Sequence, residues 1–245
     1  MKAFHKVAWL VAVAVGLLAG GCWNNDLVKI RKAAEQGDAK AQCVLGLHYL
    51  HSDGADKDTA EAVKWLSKSA EGGYAMAQNY LGMCYEHGMD GVGRDAVEAV
   101  KWYRMAAEQG DADGQSSLGG CYLRGAGVGR DDAEGVKWYR KAAGQGCEHA
   151  QYLLGRCYLI GIGVDKDAAE GVKWVRKSAE QGCAQALYVL SRCYYKGLGV
   201  DKDDAESVKW WHKAVEQGYG RGAEWLKALG IPLAKDAELE LEFGD

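Results

Sequence analysis

Cys43, His48 and His51 crowd into one short stretch, and an H-x-x-H pair with a thiol upstream is the kind of side-chain set from which zinc sites are built. That spacing places all three on one helix, where they leave the coordination tetrahedron open, so no metal site is assigned. Asp165/Asp167 and Asp201/Asp203 offer oxygen donors, but neither pair opens a calcium loop of about twelve residues that closes on a bidentate glutamate. Nucleophiles fare no better. None of the serines has a lysine three residues on, as a penicillin-recognising serine enzyme would need, and Ser67, Ser69 and Ser178 read as small helix residues. No G-x-S-x-G elbow, phosphate loop or dinucleotide fingerprint occurs. The expectation is a protein that is not an enzyme and takes no cofactor.

Eight cysteines invite a disulfide framework, yet Cys84, Cys121, Cys157 and Cys193 fall in one register of a repeat, each just before a tyrosine. Equivalent positions on stacked helices lie roughly 8–10 Å apart or more, beyond the reach of a disulfide. The seven cysteines after Cys22 are expected to act mostly as buried, small apolar groups.

The elements that carry these residues follow from a repeat. Val-Lys-Trp ends at Trp65, Trp102, Trp138, Trp174 and Trp210, and glycines at 37, 73, 110, 146, 182 and 218 mark a period of roughly 36 residues. The second unit is one residue longer, in the loop EHGMDGVGRD. Within a unit, Ala150, Leu154, Cys157 and Tyr158 have helical spacing and stop at Gly161, which defines a first helix, A. A glycine-rich loop leads to D-x-x-E, seen as Asp58/Glu61, Asp95/Glu98, Asp131/Glu134, Asp167/Glu170 and Asp203/Glu206. This reads as a reciprocal capping box, aspartate accepting from the glutamate N–H and glutamate reaching back to the aspartate N–H, at the start of a second helix, B. Each unit is thus a helical hairpin, and the five tryptophans are expected to be interior spacers between hairpins. Gly46, Gly82, Gly119 and Gly155, with Ser191 in the fifth unit, sit inside helix A, where glycine costs about 1 kcal/mol relative to alanine; close backbone approach is expected there.

Two helix-A columns differ between units: Cys43, Asn79, Ser116, Tyr152 and Tyr188, then, four residues on, Leu47, Met83, Gly120, Arg156 and Arg192. Spacing of i, i+4 puts both on one face. Asn79, Met83, Tyr152, Arg156, Tyr188, Arg192 and, a turn further, Tyr195 are the candidate binding residues, since tyrosine and arginine are enriched in binding hot spots. The same residues would also serve as Tyr–Arg packing on a solvated helix.

At the N-terminus, Lys2 and Lys6 precede the apolar run Val7–Leu18 and then Ala19-Gly20-Gly21-Cys22, which reads as a signal peptide over residues 1–21 rather than a membrane span. Its removal leaves a chain more acidic than the full-length net charge of −4, with lysines and acids interspersed, which argues against a nucleic-acid partner.

With these motifs in hand, the chain resembles two known groups. The run LLAGGC resembles the lipobox of bacterial lipoproteins, which implies lipidation of Cys22 and a place in the cell envelope, at the outer membrane facing periplasm or surface; the alternative is a soluble periplasmic or secreted protein. From about residue 27 to 229 it resembles the Sel-one-like repeats, relatives of the tetratricopeptide repeats, in the L-G-x-x-Y, G-x-G-V and A-x-x-W segments best seen at 150–182. It departs at Ser52, Ala55 and Gly114. The resemblance implies an all-α, right-handed superhelical α-solenoid of stacked hairpins that binds a protein or peptide on its concave face. It also raises an alternative, the weak penicillin-binding or β-lactamase activity credited to a cysteine-rich branch. The expected organisation is signal peptide 1–21, anchor and tether 22–25, half repeat 26–36, repeats 37–72, 73–109, 110–145, 146–181 and 182–217, half repeat 218–231 and acidic tail 232–245.

Overall fold

The computed structural model describes residues 23–52, 58–89 and 91–219, with side chains from Leu27 onward. The signal segment, Cys22 and the acidic tail lie outside the described residues. Eleven α-helices and no strand occur among the described residues: α1 Trp23–Glu35, α2 Ala39–His51, α3 Thr59–Glu71, α4 Ala75–His87, α5 Ala96–Glu108, α6 Ala112–Arg124, α7 Asp132–Gly144, α8 Glu148–Ile160, α9 Ala168–Glu180, α10 Ala184–Lys196 and α11 Asp204–Glu216. Each has 13 residues, about 20 Å of helix at 1.5 Å per residue. The fold is an all-α repeat solenoid, and it separates into two compact units, Met1–Arg130 with α1–α6 and Asp131–Asp245 with α7–α11.

In the first unit each helix packs on the next from α1 to α6; in the second the same holds from α7 to α11. The mid-helix glycines set the spacing within hairpins. A Cβ on Gly46 would lie 2.8 Å from Leu66 Cγ, one on Gly82 2.7 Å from the Tyr103 ring, and one on Gly155 2.6 Å from Val175 Cγ2 and 2.8 Å from the Gly171 carbonyl oxygen. The expected backbone approach is therefore real. At the fifth hairpin Ser191 is fully buried, and Ser207 Oγ donates to its carbonyl at 2.8 Å.

The tryptophans correct the expectation of an interior ladder. Trp65 and Trp210 are buried, but Trp102, Trp138 and Trp174 are only half-buried. Trp65 packs with Ala34 and Leu45 of α1 and α2, and Trp102 against the cluster holding Leu66 and Leu81. The indoles thus reach back toward the preceding hairpin. Lysine amines one turn on lie over four of them: Lys68 over Trp65, Lys141 over Trp138, Lys177 over Trp174 and Lys213 over Trp210, at 3.8 to 4.5 Å from the ring centroid. The next residue, Leu66, Tyr103, Tyr139, Val175 and Trp211, lies deeper in every unit, none more than 4% exposed. One step is about 100° of helix, enough to turn a side chain from the flank to the centre of the hairpin.

Capping is confirmed in half. Asp58, Asp95, Asp131, Asp167 and Asp203 accept from the N–H of Glu61, Glu98, Glu134, Glu170 and Glu206 at 2.9 to 3.0 Å. Among the described residues no glutamate returns a bond to its aspartate N–H. Instead Asp58, Asp95, Asp167 and Asp203 donate their N–H to the carbonyls of Tyr49, Tyr85, Tyr158 and Tyr194, near the end of helix A. Those carbonyls are orphan acceptors of a helix C-terminus, so one bond satisfies both partners and closes the hairpin. The glutamates, thus released, pair with Lys64, Lys101, Lys137, Lys173 and Lys209. Ser52 has a structural effect too: α2 ends in extended backbone with Ser52 Oγ donating to the His48 carbonyl, whereas Gly88, Gly125, Gly161 and Gly197 end their helices in the left-handed conformation.

A buried polar series links consecutive hairpins. Gln42, Gln78, Gln115 and Gln151, each the fourth residue of its helix A, donate Nε2 to the carbonyls of Ala34, Ala70, Ala107 and Ala143 at 3.0 to 3.2 Å. Gln78 and Gln151 also accept from Gln109 and Gln181. These bonds give a second donor, from the next hairpin, to carbonyls that already accept the N–H of Gly37, Gly73, Gly110 and Gly146. The fifth hairpin has Leu187 at this position.

Candidate peptide-binding face

The two helix-A columns behave differently in the two units. In the first unit Cys43, Asn79, Ser116, Leu47 and Gly120 are buried, and Met83 is half-buried. Asn79 is 5% exposed and its side-chain carbonyl accepts from Ser117 Oγ at 3.0 Å, so it serves the packing of α4 on α6. Small side chains at 43 and 116 let the neighbouring helices close over this column.

Near it sit two carboxylates. Asp111 caps α6, accepting from the Gly114 N–H at 2.6 Å. Burial and the neighbouring Asp113 raise its carboxyl above the ordinary value, against the lowering effect of that hydrogen bond. A carboxyl with a raised folded pKa weakens the fold above that pKa, and the loss disappears as pH falls toward the unfolded value near 3.8. Asparagine caps as well as aspartate but carries no charge. Asp111→Asn should therefore raise the urea midpoint at pH 7, with the gain shrinking as the solution is acidified; an equal gain at pH 3 and pH 7 would contradict this.

In the second unit the columns stay open, because tyrosine replaces the small residues. Tyr152 and Tyr188 are half-buried, Arg156 and Arg192 exposed. Each guanidinium lies over the tyrosine one turn before it, Arg156 at 5.5 Å from the Tyr152 centroid and Arg192 at 5.8 Å from Tyr188. Tyr219 stacks on Tyr188, with ring centroids 4.9 Å apart and planes 30° from parallel. All three tyrosines pack on the core cluster built around Val175, Leu187 and Leu190. Burial pushes the Tyr152 phenol up and Arg156 pulls it the other way, the balance lying upward. Tyr195 is half-buried, and the Lys202 amine lies 5.5 Å from its ring.

These Tyr–Arg pairs are distinct from a second set that belongs to the scaffold. Arg104, Arg140 and Arg176 donate to the hydroxyls of Tyr122, Tyr158 and Tyr194, the tyrosine of each L-G-x-x-Y segment or its fifth-unit equivalent, at 2.6 to 3.1 Å. Among the described residues Arg156 and Arg192 have no carboxylate partner. A guanidinium fixed on a ring face and open on its far edge can bind carboxylates bidentately, while the rings beside it offer apolar contact and phenol hydrogen bonds.

Sequence reading missed Tyr219. It stands where other units have Asp38, Tyr74, Asp111, Cys147 and Cys183, at the residue before helix A, so its only signal was an aromatic in a capping register. The thiols hold no reactive group in view. Six of the seven described cysteines are buried and Cys147 is half-buried, all as free thiols. Burial pushes Cys43 up to about 12 and Cys84, Cys121, Cys157 and Cys193 up to about 11, so they stay protonated at neutral pH. Among the described residues no three His, Cys, Asp or Glu side chains converge where they could hold a metal ion. No described helix is long and apolar enough to cross a membrane.

The Sel1 repeat model matches five consecutive segments, 39–74, 75–111, 112–147, 148–183 and 184–219. The chain belongs to the Sel1 repeat family. The family frames each unit from the start of helix A, two residues after the glycine that opens the units read from the period. Among solved structures, a Sel1 repeat protein from Oxalobacter formigenes is 37% identical, covering 84% of this chain and 60% of its own, with a TM-score of 0.74. A protective antigen of uropathogenic Escherichia coli with an SLR fold is also 37% identical, covering 98% of this chain and 52% of its own, with a TM-score of 0.72. A curated F-box protein from Arabidopsis thaliana is 48% identical over 58 residues, which is 24% of this chain and 16% of that protein. The chain thus spans less than two thirds of the length of each. Sel1 repeats form scaffolds typical of protein–protein interaction.

Proposed function

We propose that this Sel1 repeat protein is an exported, lipid-anchored adaptor that captures a segment of another protein on the helix-A face of its second unit. The observation that carries this reading is the pair of Tyr–Arg platforms, Tyr152/Arg156 on α8 and Tyr188/Arg192 on α10, with guanidinia exposed and free of carboxylate partners among the described residues. The two platforms recur one repeat apart, so an extended segment crossing α8 and α10 meets the same chemistry twice. The raised thiols and the lack of a Ser-x-x-Lys motif favour recognition over hydrolysis. The apolar run before Ala19-Gly20-Gly21-Cys22 supports export and lipid attachment at Cys22.

Two measurements test the parts separately. Crosslinking in the native envelope, followed by mass spectrometry, identifies the partner; calorimetry with the purified partner then compares the native chain with Tyr188→Ala and Arg192→Ala. Each variant should keep its helical circular dichroism and weaken binding more than tenfold, about 1.4 kcal/mol. Unchanged affinity in both would remove this face as the site. Intact-mass analysis should find a diacylglyceryl group on Cys22, and Cys22→Ser should release the protein from the membrane fraction; a variant that stays bound would remove the anchor.

A further inference from the structure

The second-unit platform is cationic and aromatic, whereas the chain as a whole is acidic, with a net charge of −4. One part of the chain has the complementary chemistry. Asp236, Glu238, Glu240, Glu242 and Asp245 alternate in part with Leu239, Leu241 and Phe243. In an extended chain this alternation puts carboxylates along one edge and apolar groups along the other. The platform offers the matching order, guanidinia open to solvent beside the half-buried rings of Tyr152 and Tyr188. The chain also leaves the described residues at this place: the last of them, Tyr219, is stacked on Tyr188. The 16 residues between Tyr219 and Asp236, even at the roughly 1.5 Å per residue of a helix, reach about 24 Å, enough to return across α10 and α8 at roughly 10 Å per neighbouring helix.

We infer that the acidic segment Asp236–Asp245 docks on the Tyr152/Arg156 and Tyr188/Arg192 platform of its own chain and competes there with the partner. The partner segment is then of the same class, an extended peptide with carboxylates alternating with apolar side chains. This rests on the reading of that face as a peptide-binding surface. Docking in cis sets a threshold, because a partner has to displace a segment held at high effective concentration by its own linker.

The test uses the full chain and a fluorescein-labelled peptide of sequence Lys235–Asp245, followed by anisotropy at low and high salt. The chain carrying Glu238→Lys, Glu240→Lys and Glu242→Lys should bind the peptide at least tenfold more tightly than the native chain, in a salt-dependent manner. Adding Arg156→Glu and Arg192→Glu to that chain should abolish the binding. Equal peptide affinity for the native and tail-reversed chains would overturn the proposal, as would a dimer that dissolves on tail reversal, which would put the segment on a second copy. Equal affinities with partner binding still lost in Tyr188→Ala would remove the tail and leave the binding face. A peptide and a partner both indifferent to Arg192 would remove both.

Discussion

Gly163→Ala is expected to unfold the second unit well before the native chain. Gly163 has φ +64°, and a Cβ there would lie 2.0 Å from the Asp132 carbonyl oxygen and 2.4 Å from its carbon. Two costs combine. The left-handed conformation costs an alanine about 1–2 kcal/mol, and the overlap falls on backbone at the first turn of α7, which moves only with the helix. The loss should be roughly 3–4 kcal/mol, within the range of severe single substitutions, or roughly 6–16 °C in Tm at about 2–4 °C per kcal/mol for a chain of this size. The control is Gly146→Ala. Gly146 has φ +92° but nothing within 4 Å of a Cβ, so it should lose only the conformational part, about 1–2 kcal/mol. Thermal melts followed at 222 nm measure both; equal losses would show that the contact with α7 is of no consequence. The same packing recurs at Gly127 on Ala96 and Gly199 on Ala168.

Trp211→Ala should be about as costly, for a different reason. Trp211 is 0% exposed and is the largest side chain buried to that degree among the described residues. Truncating a buried tryptophan costs about 3–5 kcal/mol, the lost transfer energy plus the cavity left behind, or roughly 6–20 °C in Tm. Trp138 belongs to the repeated Val-Lys-Trp register, is half-buried and has the Lys141 amine 3.8 Å from its ring centroid. Trp138→Ala should cost less, since part of its ring is already wet. If Trp138→Ala proves the more damaging of the two, the repeated indole rather than its successor holds the hairpins together.

That contrast shows where sequence reading reaches and where it stops. The period, the hairpins, the aspartate caps and the close approach at Gly46, Gly82 and Gly155 were all legible, because each depends on local chemistry or on a repeated cost. The depth of the tryptophans was not. Trp174 and Val175 both lie on the apolar arc of one helix, and which of them faces the hairpin centre depends on where helix A sits against it. The glutamate half of the capping box failed for a similar reason: a competing acceptor, the tyrosine carbonyl of helix A, comes from outside the local sequence. The columns supplied candidate binding residues in both units, yet Asn79 is enclosed while Tyr152 and Tyr188 stand partly open. Side-chain size at those positions decides whether neighbouring helices can close, and one column of letters does not show the closure. Tyr219 enters the site only through its stack on Tyr188, a contact across helices that no spacing rule predicts.

The glutamines that join consecutive hairpins also limit how such arrays can be rearranged. A hairpin spliced behind α3, α5 or α7 without an amide at its fourth helical position gives up the side-chain bond to Ala70, Ala107 or Ala143 and leaves that carbonyl only backbone donors such as the N–H of Gly73, Gly110 or Gly146. The joint before α10, lined by Leu187 instead, makes no such demand. Recombination between related genes is then most easily tolerated at that seam, which makes the final hairpin the exchangeable cassette of the array.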